Sequence, residues 1–207
     1  MIELPHLTAT GEAYMVDVTA KHPTVREATA VGRVRVSARI MAALRDGTVP
    51  KGDVLAVARV AGIQAAKHVP DMLPLAHVIG IHGARVELAL GRGSVGIRAT
   101  VRTADRTGVE MEALTAVSVA ALAVVDMVKG VDRSAEMTGL RILHKAGGRS
   151  GDWYRPGYSD ADVTGALEDL VARLEAREDF DDAEGEALPG VGGGGSGSTG
   201  GNAGEEA

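Results

Sequence analysis

The stretch that decides the fold is residues 107–130, TGVEMEALTAVSVAALAVVDMVKG. Thr107 followed by Glu110 has the capping-box spacing, which predicts that a helix starts there, and the lysine and glycine at the end predict where it stops. Nearly every interior position is apolar, so most sides of this helix should be buried. Its apolar run, residues 113–125, is shorter than the roughly 20 residues that cross a bilayer. We predict a core helix between a sheet and a second subunit.

Charged residues occur only near the two ends of this helix. Asp126 and Lys129 lie three residues apart on one face, and such a pair is more often a helix-end ion pair than a catalytic pair. Glu112 lies in the first turn, 14 residues before Asp126, which corresponds to roughly 21 Å along a helix. One site that uses both ends requires either an extended ligand or residues from two chains, and we favour the second arrangement.

The segments before and after this helix predict the other elements. Alternating valines and arginines predict a strand over residues 28–37, and two helices follow over 38–46 and 54–69, capped by Ser37 and Asp53, with a proline ending the second.

Alternating apolar residues then predict a hairpin, with strands over residues 78–90 and 95–103, and a final strand over residues 140–144. This order is an α+β sandwich, the ferredoxin-like split βαβ pattern with an extra helix in the first crossover and an antiparallel sheet packed on helices.

Composition narrows the class of protein. The sequence has no cysteine, which excludes disulfides and thiolate chemistry, and aromatic residues make up only 2%, so a core of small apolar side chains would gain stability from a subunit contact. No signal segment or membrane-length span is recognisable, so we expect a cytoplasmic protein without membrane contacts.

Charge divides the chain in two. Through Gly157 there are 20 Lys and Arg against 15 Asp and Glu, and after it 2 against 13. We expect a catalytic domain over residues 1–157, which suits an anionic ligand, an acidic tail with one short amphipathic helix over 158–186, and a Gly-rich disordered tail over 187–207. Deletion after Gly157 is expected to leave activity largely intact.

Three motifs carry little weight. The G-x-G-x-x-G pattern of residues 91–96 precedes a strand, whereas a dinucleotide loop must open a helix. The glycine-rich residues 147–151 could bind phosphate but are more often a plain turn. His77 and His82 lack the thiols or carboxylates of a zinc site. We expect neither a metal nor a cofactor.

Several blocks resemble one family, cyclic pyranopterin monophosphate synthase, also called molybdenum cofactor biosynthesis protein C. They cover about residues 10–156 in that family's order. The blocks are MVDV (15–18), KGD (51–53), AGIQAAK (61–67), LPLAH (73–77), TGVEMEALTA (107–116), DMVK (126–129) and KAGGRSGD (145–152). One departure is Ala76, where the family usually has Cys.

The resemblance implies a ferredoxin-like fold and a lyase. Its substrate is (8S)-3′,8-cyclo-7,8-dihydroguanosine 5′-triphosphate, a cyclised GTP, and its products are cyclic pyranopterin monophosphate and diphosphate. It implies that Asp126 is the acid/base residue, with Lys51, His77 and Lys129 beside it. The implied substrate contacts are Leu75, Ala76, His77, Met111, Glu112 and Lys67. It also implies a homohexamer, a trimer of dimers with sites at subunit interfaces.

Two alternatives stay open at this stage: a non-catalytic nucleotide-binding oligomer of the same fold, and a small-molecule sensor. RNA binding is disfavoured because RNA-binding sheets stack bases on aromatic residues, and the sequence has none between Tyr14 and Trp153. Activity restored by mixing Lys51→Ala and Asp126→Ala chains would indicate that these two residues meet across chains.

Overall fold

A computed structural model describes the backbone of residues 10–185 and the side chains of residues 10–177. The predicted tail over 187–207 lies outside the described residues. The elements, in chain order, are β1 (Thr24–Arg35), α1 (Ala38–Arg45), α2 (Val54–Ala65), α3 (Val69–Met72), β2 (Gly83–Leu90), β3 (Ser94–Asp105), α4 (Glu110–Val128), β4 (Glu136–Ala146), β5 (Trp153–Tyr154), α5 (Asp160–Thr164) and α6 (Leu167–Gly185).

The five strands form one sheet in the order β2-β3-β1-β4-β5, and every neighbouring pair is antiparallel. Helices α2 and α4 pack on one face, where alternate residues of the strands meet them in the main core. This arrangement confirms the predicted α+β class and is consistent with the ferredoxin-like fold. The two-residue strand β5, which extends the sheet beside β4, was not predicted.

Helix α4 is the core helix that the sequence predicted, but it begins later. Val109 is its N-cap residue and no side chain caps it, so the capping box at Thr107 was wrong. The Glu110 carboxylate instead lies against Gly108, where an added Cβ would overlap it. By length and composition alone α4 could cross a membrane, yet half of it is buried inside this fold. Buried core helices pass that same test.

The predicted helix over residues 54–69 is two helices. Helix α2 ends at Ala65, and the proline that was expected to stop it lies instead in the first turn of α3. A proline is tolerated there because the first N–H groups of a helix have no partner inside it. The first strand of the hairpin also begins later than predicted, at Gly83 rather than residue 78. The residues before Gly83 lie outside the sheet, and the Val78 side chain is 90% exposed.

The second face of the sheet, opposite α2 and α4, is covered by α5 and α6. Leu167, Leu170, Val171 and Leu174 of α6 are buried there in a second apolar cluster. The helix prediction beyond Tyr158 is therefore confirmed, but α6 is longer than expected, and the solvated part of the tail prediction was wrong for residues up to 177. Amphipathic spacing revealed a helix without revealing the surface that it covers. The division of domains at residue 157 stays a prediction.

Candidate active site

Three predicted catalytic residues meet at the C-terminal end of α4. The Asp126 carboxylate lies between two ammonium groups: Lys51 Nζ is 3.0 Å from its Oδ2 and Lys129 Nζ is 2.8 Å from its Oδ1. Lys51 also donates a 2.7 Å hydrogen bond to the Asp126 backbone carbonyl. That carbonyl belongs to the last turn of α4, where carbonyls have no partner within the helix. Lys51 therefore pairs with the Asp126 carboxylate and also satisfies a backbone carbonyl in the last turn of α4.

Local structure places these three side chains. Lys129 is the C-cap residue of α4 and shares a helix face with Asp126, three residues before it. Lys51 lies in the loop between α1 and α2, where Gly52 adopts a φ of 96° that other residues rarely tolerate. Asp53 then accepts a 2.9 Å hydrogen bond from the Ala56 N–H and starts α2. The loop conformation thus follows from the sequence KGD.

The charges of this group suit proton transfer beside an anion. The hydrogen bond from Lys129, and then that from Lys51, hold the pKa of Asp126 below its usual range. The carboxylate is therefore ionised at neutral pH, and its side chain is 57% exposed. Two ammonium groups against one carboxylate leave a net positive charge, which favours an anionic ligand.

The opposite end of α4 has a different character. Glu112 is 4% exposed, and this burial, with the nearby charge of Glu110, raises the pKa of Glu112 despite an opposing hydrogen bond from its own backbone. Next to it, Met111 is 43% exposed. This end of α4 therefore places a polar carboxyl group beside an apolar side chain, which suits a ring with both polar and apolar edges.

Lys67 lies toward the Glu112 end. Lys51, three residues before the start of α2, contacts Asp126, whereas a Cβ added to Gly62 within α2 would lie 2.7 Å from the Ala116 carbonyl. Helix α2 therefore runs antiparallel to α4. Lys67 follows the end of α2 and is exposed. It therefore lies near the N-terminal end of α4, which carries Glu112, and away from Asp126.

The segment Leu75, Ala76 and His77 precedes β2. Leu75 is 39% exposed, and the Ala76 N–H closes a turn with the Leu73 carbonyl at 3.0 Å. His77 Nε2 lies 2.7 Å from the Val16 carbonyl; because a carbonyl only accepts, Nε2 carries the proton and Nδ1 is left as an acceptor. No hydrogen bond or ion pair joins His77 to Lys51, Asp126 or Lys129 within the described part of the chain.

Sequence reasoning missed a basic cleft of about 490 Å³ near the start of α4. Its charged or titratable lining residues are Lys21, His22, Arg26 and Arg149, with Gly148 and Ser150 beside them. Arg26 donates to the Asp105 and Arg106 carbonyls, at 3.0 and 3.2 Å, just before α4. On spacing alone, the glycine-rich residues 147–151 predict a plain turn more often than a phosphate site. The sequence signal that could have identified the cleft is Arg149 in this loop, taken together with the basic residues of 21–26.

A larger cleft of about 1070 Å³ lies over β2 and β3 on the second face, beside the link between α5 and α6. Arg98 in this cleft already pairs with Glu87 at 3.0 Å, and Arg102 pairs with Glu27. These pairings make it a poorer anion site than the basic cleft. Within residues 10–177, no three His, Asp or Glu side chains converge closely enough to hold a metal ion.

A family model described as the MoaC family matches residues 15–148, about two thirds of the chain. The chain belongs to the MoaC family. The match includes every residue that the sequence resemblance placed in the site and ends before α5 and α6.

Relatives of this MoaC-family chain carry one name. A protein of Nocardioides sp. (strain ATCC BAA-499 / JS614), named cyclic pyranopterin monophosphate synthase, is 58% identical over 156 residues, which are 74% of this chain and 96% of that protein. A Streptomyces coelicolor protein of the same name is 56% identical over 73% of this chain and 89% of its own length. Cyclic pyranopterin monophosphate synthase 2 of Mycobacterium tuberculosis is 53% identical over 74% and 92%.

Proposed function

We propose that this chain is a cyclic pyranopterin monophosphate synthase, a lyase of molybdenum cofactor biosynthesis. It converts (8S)-3′,8-cyclo-7,8-dihydroguanosine 5′-triphosphate to cyclic pyranopterin monophosphate and diphosphate. The names of relatives at 53–58% identity support this function. The observation that carries it is the pairing of Asp126 with both Lys51 and Lys129.

In this proposal the Asp126 group performs the acid/base steps. Asp126 is ionised at neutral pH and can accept a proton, while Lys51 and Lys129 are donors that can protonate a leaving nitrogen or oxygen. The product keeps one phosphate in a ring, so a hydroxyl oxygen forms a bond to the α-phosphorus while the bond to diphosphate breaks. Cationic groups stabilise the charge that develops on the departing diphosphate.

The Glu112 end holds the substrate. We assign the ring contacts to Met111 and Glu112, with Leu75, Ala76, His77 and Lys67 alongside. Position 76 makes its contact through the backbone, since Ala provides only a methyl group where the family usually has a thiol. We assign the Glu112 carboxyl group to a hydrogen bond with a polar atom of the ring.

We assign the triphosphate of the substrate to the basic cleft beside the start of α4. Lys21, Arg26 and Arg149 supply positive charge there, and Ser150 and the Gly148 backbone supply neutral donors. Replacing Arg149 with Ala is expected to raise KM for cyclised GTP with little change in kcat, and to weaken the dependence of KM on salt. An unchanged KM for this variant would remove the cleft from the substrate site.

Two subunits complete one site. Within one chain the Asp126 and Glu112 ends are separated by the length of α4, roughly 21 Å. The outer surface of α2 and α4 exposes apolar side chains, including Val60 at 67% and Leu122 at 55%, and such exposed apolar surface marks a protein contact. We therefore assign this surface to a dimer that joins the Asp126 end of one chain to the Glu112 end of the next, within a hexamer built from three dimers. The enzyme acts in the cytoplasm.

Incubation of the full chain with cyclised GTP tests the proposal. Release of diphosphate and formation of cyclic pyranopterin monophosphate are expected from the parent. Asp126→Asn, which keeps the shape but not the base, should lower kcat by about 10²-fold or more. Tight substrate binding without product from the parent would instead indicate the non-catalytic nucleotide-binding alternative.

A further inference from the structure

A buried carboxylate from α6 holds the turn of the β2–β3 hairpin. Glu175 is 8% exposed and accepts hydrogen bonds from the backbone N–H groups of Arg92 and Gly93, both at 3.1 Å, and from the Ser94 hydroxyl at 2.7 Å. Gly91 leaves room for it, because an added Cβ there would overlap Glu175. Burial acts to raise the pKa of Glu175, but these hydrogen bonds and the charge of Arg92 hold it below its ordinary value.

The same turn supports both ends of α1. The Gly93 carbonyl accepts a 3.0 Å hydrogen bond from the Val36 N–H, two residues before α1 begins. The Gly91 carbonyl accepts a 2.8 Å hydrogen bond from the guanidinium of Arg45, the last residue of α1. A displacement of the turn would therefore move α1 as a unit rather than one end of it.

Helix α1 in turn places the Lys51 loop. The Thr48 N–H donates back to the Ala43 carbonyl of α1 at 2.9 Å, and Val49 is 6% exposed in the main core. Only Pro50 separates Val49 from Lys51. The start of α1 also contacts the segment just after α4, where Ser37 hydrogen-bonds to Asp132. The loop that presents Lys51 to Asp126 thus has little freedom once α1 is fixed.

We propose that Glu175 is a positioning residue for Lys51, acting through the hairpin turn and α1. The carboxylate fixes the turn, the turn fixes both ends of α1, and α1 fixes the loop that carries Lys51. Glu175 belongs to α6, which lies outside the residues that the MoaC-family model matches. Its effect on turnover rests on the proposed function, whereas its effect on the geometry of Lys51 and Asp126 does not.

The decisive test follows the Asp126 carboxyl by carbon-13 NMR in the full chain. Lys129 and then Lys51 lower the pKa of Asp126, so a displaced Lys51 should let that pKa rise. We expect a rise in Glu175→Gln and none in Asp169→Asn, an exposed acid of the same helix. Lys51→Met measures the largest rise that loss of this lysine can produce.

An Asp126 titration that is the same in Glu175→Gln as in the parent would overturn the proposal, because a general loss of stability does not change this pKa in the folded state. Should Glu175→Gln fail to fold, Ser94→Ala removes one of three donors and must give a smaller rise. With cyclised GTP, kcat of Glu175→Gln should fall on the order of tenfold while KM changes little. A parent without turnover would reject the proposed function and leave the titration result valid.

Discussion

Lys51 and Asp126 meet within a single chain, with Lys51 Nζ 3.0 Å from Asp126 Oδ2, although they are 75 residues apart in the sequence. In a site shared between subunits, Lys51 and Asp126 therefore come from the same subunit. In the proposed function the chain instead carries two half-sites at opposite ends of α4, one with Asp126 and its lysines and one with Glu112. Complementation experiments can distinguish these divisions.

Mixed oligomers of Lys51→Ala and Asp126→Ala chains should stay inactive, because both substitutions damage the same half-site. Mixed oligomers of Glu112→Ala and Asp126→Ala chains should regain activity, since one intact half-site comes from each chain. With random mixing, about a quarter of the sites are restored in a two-fold symmetric dimer. Turnover in oligomers whose mixed composition is verified by native mass spectrometry measures this. Rescue by the first pair would contradict the intrachain contact.

The acid limb of the pH–rate profile should report Asp126. Lys129 contributes most to lowering the pKa of this carboxyl below its ordinary value of 3.8. Lys129→Met should therefore shift the acid limb of kcat/KM to higher pH, whereas Lys129→Arg, which keeps the charge, should leave it near the parent position. A lowered folded-state pKa gives stability that is present above the unfolded pKa and lost as the pH falls through the folded pKa. If the acid limb of kcat/KM does not shift in Lys129→Met, the limb reports the ionisation of a group other than Asp126.

Glu112 should show the opposite linkage. Burial raises the folded-state pKa of Glu112 above its ordinary value of 4.5. The unfolded chain therefore loses this proton first, and stability falls as the pH rises from the unfolded to the folded pKa. Glu112→Gln removes that penalty, so Tm at pH 8 should rise on the order of a few degrees while Tm at pH 4 changes little. Scanning calorimetry at both pH values is the measurement, and a Tm that falls at pH 8 would show that the ionised carboxylate has a stabilising partner.

The sequence predicted α4 and the order of the main helices and strands along the chain, because both rest on local periodicity over long, regular segments. It could not predict the pairing of Lys51 with Asp126, since no spacing rule connects a loop to a helix end 75 residues away. The glycines of residues 91–96 resembled a nucleotide-binding motif. Gly91 and Gly96 instead make room for Glu175 and Val171 of α6, a reason that only the packed structure reveals.

Gly96 should therefore be among the least replaceable positions of β3. A Cβ added there would overlap Val171, whereas a Cβ added to Gly93, in the turn before the strand, would meet no atom within 4 Å. Gly96→Ala should lower the free energy of unfolding by about 1–3 kcal/mol through overpacking, and Gly93→Ala should lower it far less. Urea unfolding of the full chain compares the two. Equal midpoints would mean that α6 does not pack on the second face in solution, and would favour the expectation that residues after Gly157 are dispensable for activity.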